Sequence, residues 1–165
     1  MIATTTDKHE RLFGHAKVLL LVSIFALVGA LVTPLPTQNE LERARGELAA
    51  ITEVSKGKFN IRVTHGGKDN VEIAVQNLTL VEIERMRNLR PGAKIEVWYL
   101  ETWFFSMIFD MKPFAWQVVH DGETILAYSS RFAEFLFTTR LFLGLAGLTA
   151  ASALALFAAG RIRRW

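Results

Sequence analysis

Leu141–Ala159 reads LFLGLAGLTAASALALFAA, nineteen residues without a charge. At the rise of an α-helix this comes to just under about 30 Å, the hydrocarbon thickness of a bilayer. The stretch predicts a membrane-spanning helix. Arg161, Arg163 and Arg164 follow it directly. Toward the other end lies a second apolar run, VLLLVSIFALVGALV at Val18–Val32, preceded by Lys8, Arg11 and Lys17. Including Ala16 and Thr33 brings this run close to a spanning length, with Lys17 at its edge, where a lysine can snorkel to the interface. Pro34 and Pro36 then stop the helix, because proline lacks the amide donor and restricts its predecessor.

The first run could instead be a cleaved signal peptide. Gly29-Ala30-Leu31-Val32-Thr33 makes a poor small-x-small cleavage site, and seventeen residues before the run is long for a signal. A retained signal anchor is the expectation. Only basic residues in short flanking segments set orientation, and both ends are short and basic. The chain then divides into a cytoplasmic tail (1–17), a first span (18–33), an extracytoplasmic domain (34–131), an amphipathic extension with the second span (132–160) and a basic cytoplasmic tail (161–165). The address implied is integral membrane, a bacterial inner membrane, with the central domain periplasmic or extracellular.

The charge of the whole chain, +3, sits at its ends. The central stretch carries 12 Lys or Arg against 13 Asp or Glu. It lacks the basic footprint of a nucleic-acid binder, so no nucleic-acid partner is expected. The absence of cysteine excludes disulfides, thiolate metal sites and cysteine nucleophiles.

Within the centre, Gln38–Arg45 is polar and reads as a helical or irregular stalk. Strand signals follow. Glu47–Val54 is mixed, with Leu48 and Ile51. Phe59, Ile61 and Val63 alternate with polar neighbours, as do Val71, Ile73 and Val75 after the Gly66-Gly67 turn signal. At Thr79-Leu80-Val81-Glu82 a capping box opens a helix expected over 80–89, with Leu80, Ile83 and Met86 at helical spacing and Pro91-Gly92 beyond its end. Ile95, Val97 and Tyr99 resume the alternation. Trp116–His120 and Glu123–Ser129 flank Asp121-Gly122, a strong hairpin signal. The order is β-β-β-α-β-β-β, which resembles an OB-fold, a small Greek-key barrel. The expected fold is therefore two transmembrane helices bracketing a small β-rich, OB-like barrel domain. With its Leu89-Arg90-Pro91-Gly92 turn before an alternating strand, the layout also resembles small bacterial membrane proteins in which two spans bracket a β-rich extracytoplasmic domain. That resemblance assigns no activity and no catalytic residue.

The stretch from Trp103 to Trp116, opening with Trp103-Phe104-Phe105-Ser106-Met107-Ile108-Phe109, lies where a polar connection between strands is expected. It is too short to span. Packing into the barrel core is one reading. Too many large residues point both ways for so small a domain, which favours contact with the bilayer interface or with a partner. Trp103, Phe104, Phe105, Ile108, Phe109 and Trp116 are the candidate contact residues, with membrane lipid and a protein partner, or a second copy of the chain, as occupants. On the second span, Gly147, Ala151, Ala155 and Ala159 form a row of small residues that would let helix backbones approach, either within the chain's own helix pair or in an oligomer, with Ala26 and Ala30 a shorter match on the first. Phe132, Phe135, Leu136 and Thr139 share one helical face, and Arg140 is expected near the outer interface.

Chemistry is sparse. His9, His15, His65 and His120 are scattered, without metal-ligand spacing. There is no phosphate loop, nucleophile elbow or dinucleotide fingerprint. Asn77-Leu78-Thr79 matches a glycosylation sequon, but Thr79 already has a capping role. No cofactor, no metal and no catalysis are expected. The leading reading is a membrane accessory or scaffold protein. A tethered ligand- or glycan-binding module is the alternative.

Overall fold

The computed structural model describes residues 5–65, 68–101 and 112–162. The chain divides into two compact units, Met1–Thr33 with Phe135–Trp165, and Pro34–Glu134.

The second unit is a β-barrel. Its strands are β1 (Glu42–Ser55), β2 (Lys58–His65), β3 (Lys68–Val75), β4 (Lys94–Leu100), β5 (Phe114–His120) and β6 (Glu123–Leu126), with the helix α2 (Leu80–Asn88) between β3 and β4. The sheet runs β3-β2-β1-β4-β5-β6, and a parallel contact of β3 with β5 closes the first five strands on themselves. At that seam the Ala74 amide donates to the Pro113 carbonyl at 2.8 Å. Closure removes the free sheet edges between β3 and β5.

The alternating residues fill the barrel. Leu48, Phe59, Ile61, Val63, Ile73, Val75, Ile95, Val97 and Val118 form one buried cluster with Ile83, Met86 and Leu89 from α2 and its exit. The capping box forms as expected: the Thr79 amide donates to Glu82 Oε2 at 2.7 Å, and the Glu82 amide donates back to Thr79 Oγ1. Leu80 departs from the expected inner face and is exposed. Asp121 and Gly122 both take positive φ, 48° and 83°, as a tight hairpin turn requires.

The stalk expected at Gln38–Arg45 is corrected. Only Gln38–Glu40 forms a 3-10 turn, and β1 is already under way at Glu42. Arg43 and Arg45 face outward, while Ala44 is buried against β4, with Ala44 opposite Val97 and Gly46 opposite Ile95. A strand whose inner positions are alanine and glycine carries almost no alternation signal. Its pairing with β4, about fifty residues away, is what makes it a strand.

In the first unit, α1 (Thr5–Val32) and α3 (Tyr128–Ile162) provide two helices long and apolar enough to cross a membrane, over Arg11–Val32 and Tyr128–Ala159. Helix α3 is continuous from Tyr128, so Phe132, Phe135, Leu136 and Thr139 do belong to one helix with the second apolar run. Lys8 and Arg161 fall within these helices, whereas Arg163 and Arg164 lie outside the described residues.

Candidate functional site

Three features converge on one end of the barrel. β1 begins there, with Glu42 opposite Tyr99 near the end of β4. β4 ends there and β5 begins there, with Leu100 opposite Phe114. Residues 101–113 connect those two strands, so the base of the aromatic stretch stands beside the start of β1. Lys112, at the base, pairs with Glu72 of β3 at 2.6 Å. This ion pair holds the Glu72 carboxyl below its usual range, chiefly through the hydrogen bond from Lys112. Trp103, Phe104, Phe105, Ile108 and Phe109 lie outside the described residues.

The chain leaves the domain at the same end. The Tyr128 hydroxyl donates to the Pro36 carbonyl at 2.8 Å, joining the first residues of α3 to the segment before β1. The Tyr128 ring packs on Trp116 at 6.0 Å between centroids and on Phe132 at 5.7 Å, and Trp116 packs on Phe114 at 5.8 Å. These contacts correct the expectation for Trp116. Its side chain is 0% exposed and is not a contact surface. A bulge is the cause: Trp98 pairs with Gln117 but Tyr99 pairs with Ala115, so Trp116 is the extra residue. Ala115 and Val118 take the core positions, and Trp116 stays outside that cluster, covered by Tyr128.

Arg131 completes this corner, a role that no local motif around it signals. Its side chain is 2% exposed, and Nη1 donates to Glu134 Oε2 at 3.2 Å. Glu134 Oε1 accepts from Asn77 Nδ2 at 3.0 Å. Asn77 sits at φ 54° just after β3, a left-handed conformation that asparagine tolerates. The first turns of α3 are thereby tied to the β3–α2 connection. Arg131 Nε and Nη2 are buried without a hydrogen-bond partner among the described residues.

A second surface lies on the outside of β1, β4 and β5. Arg45, Glu47, Lys94, Glu96 and Asp121 line an open groove of about 460 Å³. Arg43 pairs with Glu96 and stacks over Trp98 at 5.2 Å. Charges of both signs alternate across the strands there, Arg45 opposite Glu96 and Glu47 opposite Lys94. Such cross-strand pairs stabilise a solvated sheet face. His120 Nε2 lies 3.3 Å from Asp121 Oδ2 at the hairpin turn. Among the described residues no cluster of three His, Asp or Glu is placed to hold a metal ion.

In the helical unit, α1 and α3 pack antiparallel. Ser23 Oγ donates to the Ala146 carbonyl at 2.8 Å, and Phe13 meets Phe157 at 5.6 Å. The buried positions are Ala16, Ala26 and Ala30 on α1 and Ala146, Thr149 and Ala153 on α3. Ala26 and Ala30 thus pack as the sequence suggests. The row Gly147, Ala151, Ala155 and Ala159, which suits either the intrachain pair or an oligomer, is exposed and is not the face turned to α1. The face toward α1 carries Ala146, Thr149 and Ala153 instead, and the Thr149 hydroxyl donates to the Leu145 carbonyl of its own helix.

Compared with protein-family models, curated proteins and solved structures, the chain matches none of them.

Proposed function

We propose that the chain is a non-enzymatic, two-span membrane accessory protein. Both termini are cytoplasmic, and the barrel domain contacts another component of a bacterial envelope through the aromatic stretch around Trp103, Phe104, Phe105, Ile108 and Phe109. The observation that carries this reading is the shared barrel end. Both points at which the chain leaves the domain, next to Pro36 and Tyr128, stand beside the base of the 101–113 connection. Chain connectivity alone keeps that end within a few residues of both apolar helices. A run of large apolar side chains starting there is suited to lipid or to a membrane-embedded partner. The test is a photo-crosslinking residue in place of Phe105 in native membranes. A discrete adduct with a different protein supports the accessory role. Adducts only to lipid or to a second copy of the chain overturn it.

A ligand- or glycan-binding module is the second reading. The cyclic order β1-β2-β3-β5-β4, with a helix between β3 and β4, supports an OB-like barrel. OB-folds take oligosaccharides or oligonucleotides with the β2–β3 face and the β1–β2 and β4–β5 loops, and 101–113 is the β4–β5 loop. The balanced charge of the domain disfavours oligonucleotides. On this reading Trp103→Ala abolishes glycan binding while the thermal transition stays in place. Trp116 cannot serve that comparison, because it is part of the packed interior.

A further inference from the structure

The pairing of α1 with α3 fixes how their charges line up. Phe13 meets Phe157, Ser23 meets Ala146, and a Cβ on Gly29 would touch the Phe142 ring at 3.5 Å. All three pairs agree, to within a residue, on one antiparallel register. In that register Arg140 is level with Ala30, and Lys17 is level with Ala153. Ala30 and Ala153 are buried in the helix interface, whereas Lys17 and Arg140 are exposed on the outside of the pair.

Each apolar run taken alone approaches the thickness of a bilayer. The pair does not. The charge-free zone common to both helices runs only from the Arg140 level to the Lys17 level, about 20 Å of helix rise against about 30 Å of hydrocarbon. Tilting the pair shortens its projection further. If the hydrocarbon reached from Leu141 to Ala159, Lys17 would sit well inside it on a lipid-facing surface, where an ionised group is costly.

The directions of the two side chains resolve the mismatch. A helical side chain leans toward the N-terminus of its own helix. Lys17 therefore leans toward Arg11, and Arg140 leans toward Tyr128. Because the helices are antiparallel, the two lean in opposite directions, each away from the middle of the apolar zone. We propose that Lys17 and Arg140 are a pair of phospholipid-phosphate sites, one per leaflet, that bound the hydrocarbon and draw the head groups inward, so that the protein sits in a locally thinned bilayer. This rests on the membrane-spanning reading above. It adds the lipid group recognised and the residues that recognise it.

The absence of native cysteine makes a clean test available. Single cysteines are placed on the exposed side of α3 at Phe137, Gly144, Leu148, Ala151, Ala155 and Ala158 of the full chain, reconstituted in vesicles of dioleoyl phosphatidylcholine and phosphatidylglycerol. A charged maleimide is supplied to both faces. The expected result is protection at Gly144, Leu148 and Ala151 and reaction at Phe137, Ala155 and Ala158. In a Lys17→Leu background, labelling at Ala155 and Ala158 falls several-fold. In an Arg140→Leu background, labelling at Phe137 falls likewise. Protection of Ala155→Cys and Ala158→Cys in the otherwise native chain overturns the proposal without needing the leucine variants. Failure of the chain to float with the vesicles is a different result: it removes the membrane-spanning reading itself, and this inference with it.

Discussion

Arg131 holds a charge that solvent barely reaches, with Glu134 as its carboxylate. Taking one partner from a buried pair strands the other, and that loss exceeds the gain from forming the pair. Glu134 is itself 43% exposed, so water partly replaces it and Glu134→Ala is expected to cost about 1–2 kcal/mol. Arg131→Met, which removes the buried charge and keeps the volume, is expected to cost less than about half of that. Denaturant unfolding of the full chain in detergent ranks the two, and the reverse ranking would show that Arg131 is held by something other than Glu134. Trp116→Ala empties a fully buried site and is expected to cost about 3–5 kcal/mol. Two of the carboxylates held below their usual values contribute to the acid limb of stability. Arg87 holds Glu53 below its usual value through a bidentate hydrogen bond at 2.9 and 2.8 Å, and Lys112 does the same for Glu72. Since both folded values are lowered, their contribution is complete above the ordinary glutamate range and disappears as pH falls through the lowered values. The melting temperature of the native chain should then drop on acidification below that range, and Glu53→Gln or Glu72→Gln should flatten the drop. Burial, foremost, pushes the Tyr99 hydroxyl up, with Glu42 and Glu101 adding to it, so the corresponding loss at the alkaline end begins above pH 10 or so and is absent in Tyr99→Phe.

Among the elements, the two turns with positive φ separate two kinds of cost. Gly122 sits at φ 83° with open space around it, so Gly122→Ala carries only the left-handed penalty, about 1–2 kcal/mol. Gly57 sits at φ 75°, and a Cβ there would lie 3.1 Å from Ile83 Cδ1. Gly57→Ala should therefore destabilise somewhat more than Gly122→Ala, because the Ile83 side chain must also give way, and thermal denaturation of the two variants checks the order. These turns also show what made part of the fold legible. The Asp121-Gly122 hairpin and the Thr79–Glu82 capping box are local: their residues satisfy one another within four positions, so sequence spacing alone reveals them. The start of β1 is not local, because Ala44 and Gly46 become strand positions only by pairing with Val97 and Ile95. The burial of Trp116 is not local either. Alternation along β5 would have put it with Val118, and the bulge at Gln117–Ala115 moves it to the other side. The same limit applied to α3: a row of small residues announces that close packing is possible, but Gly147, Ala151, Ala155 and Ala159 compete with Ala146, Thr149 and Ala153 on an adjacent face, and composition does not choose between them.

On the scale of the whole molecule, the proposed role depends on which side of the membrane the barrel occupies. The contact assigned to Phe105 requires the barrel end carrying Pro36, Tyr128 and the base of 101–113 to meet the outer leaflet. On the reading proposed above, the side follows from the short basic flanks, Lys8, Arg11 and Lys17 before the first span and Arg161, Arg163 and Arg164 after the second. The domain between them is long enough to be exempt from the charge rule. With no native cysteine, one introduced residue reports its own address. Lys56→Cys lies exposed in the β1–β2 turn, where its side chain supports no core contact. In spheroplasts, Lys56→Cys should react with a membrane-impermeant maleimide, while a cysteine appended after Trp165 should react only once the membrane is opened. Changing Arg161, Arg163 and Arg164 together to Gln should weaken that protection of the tail, because the second span then loses the charges that hold its end inside. The inverse pattern, a reactive tail and a protected Lys56→Cys, would put the barrel in the cytoplasm. The aromatic stretch would then face the inner leaflet, and an envelope partner could not be the protein that Phe105 meets.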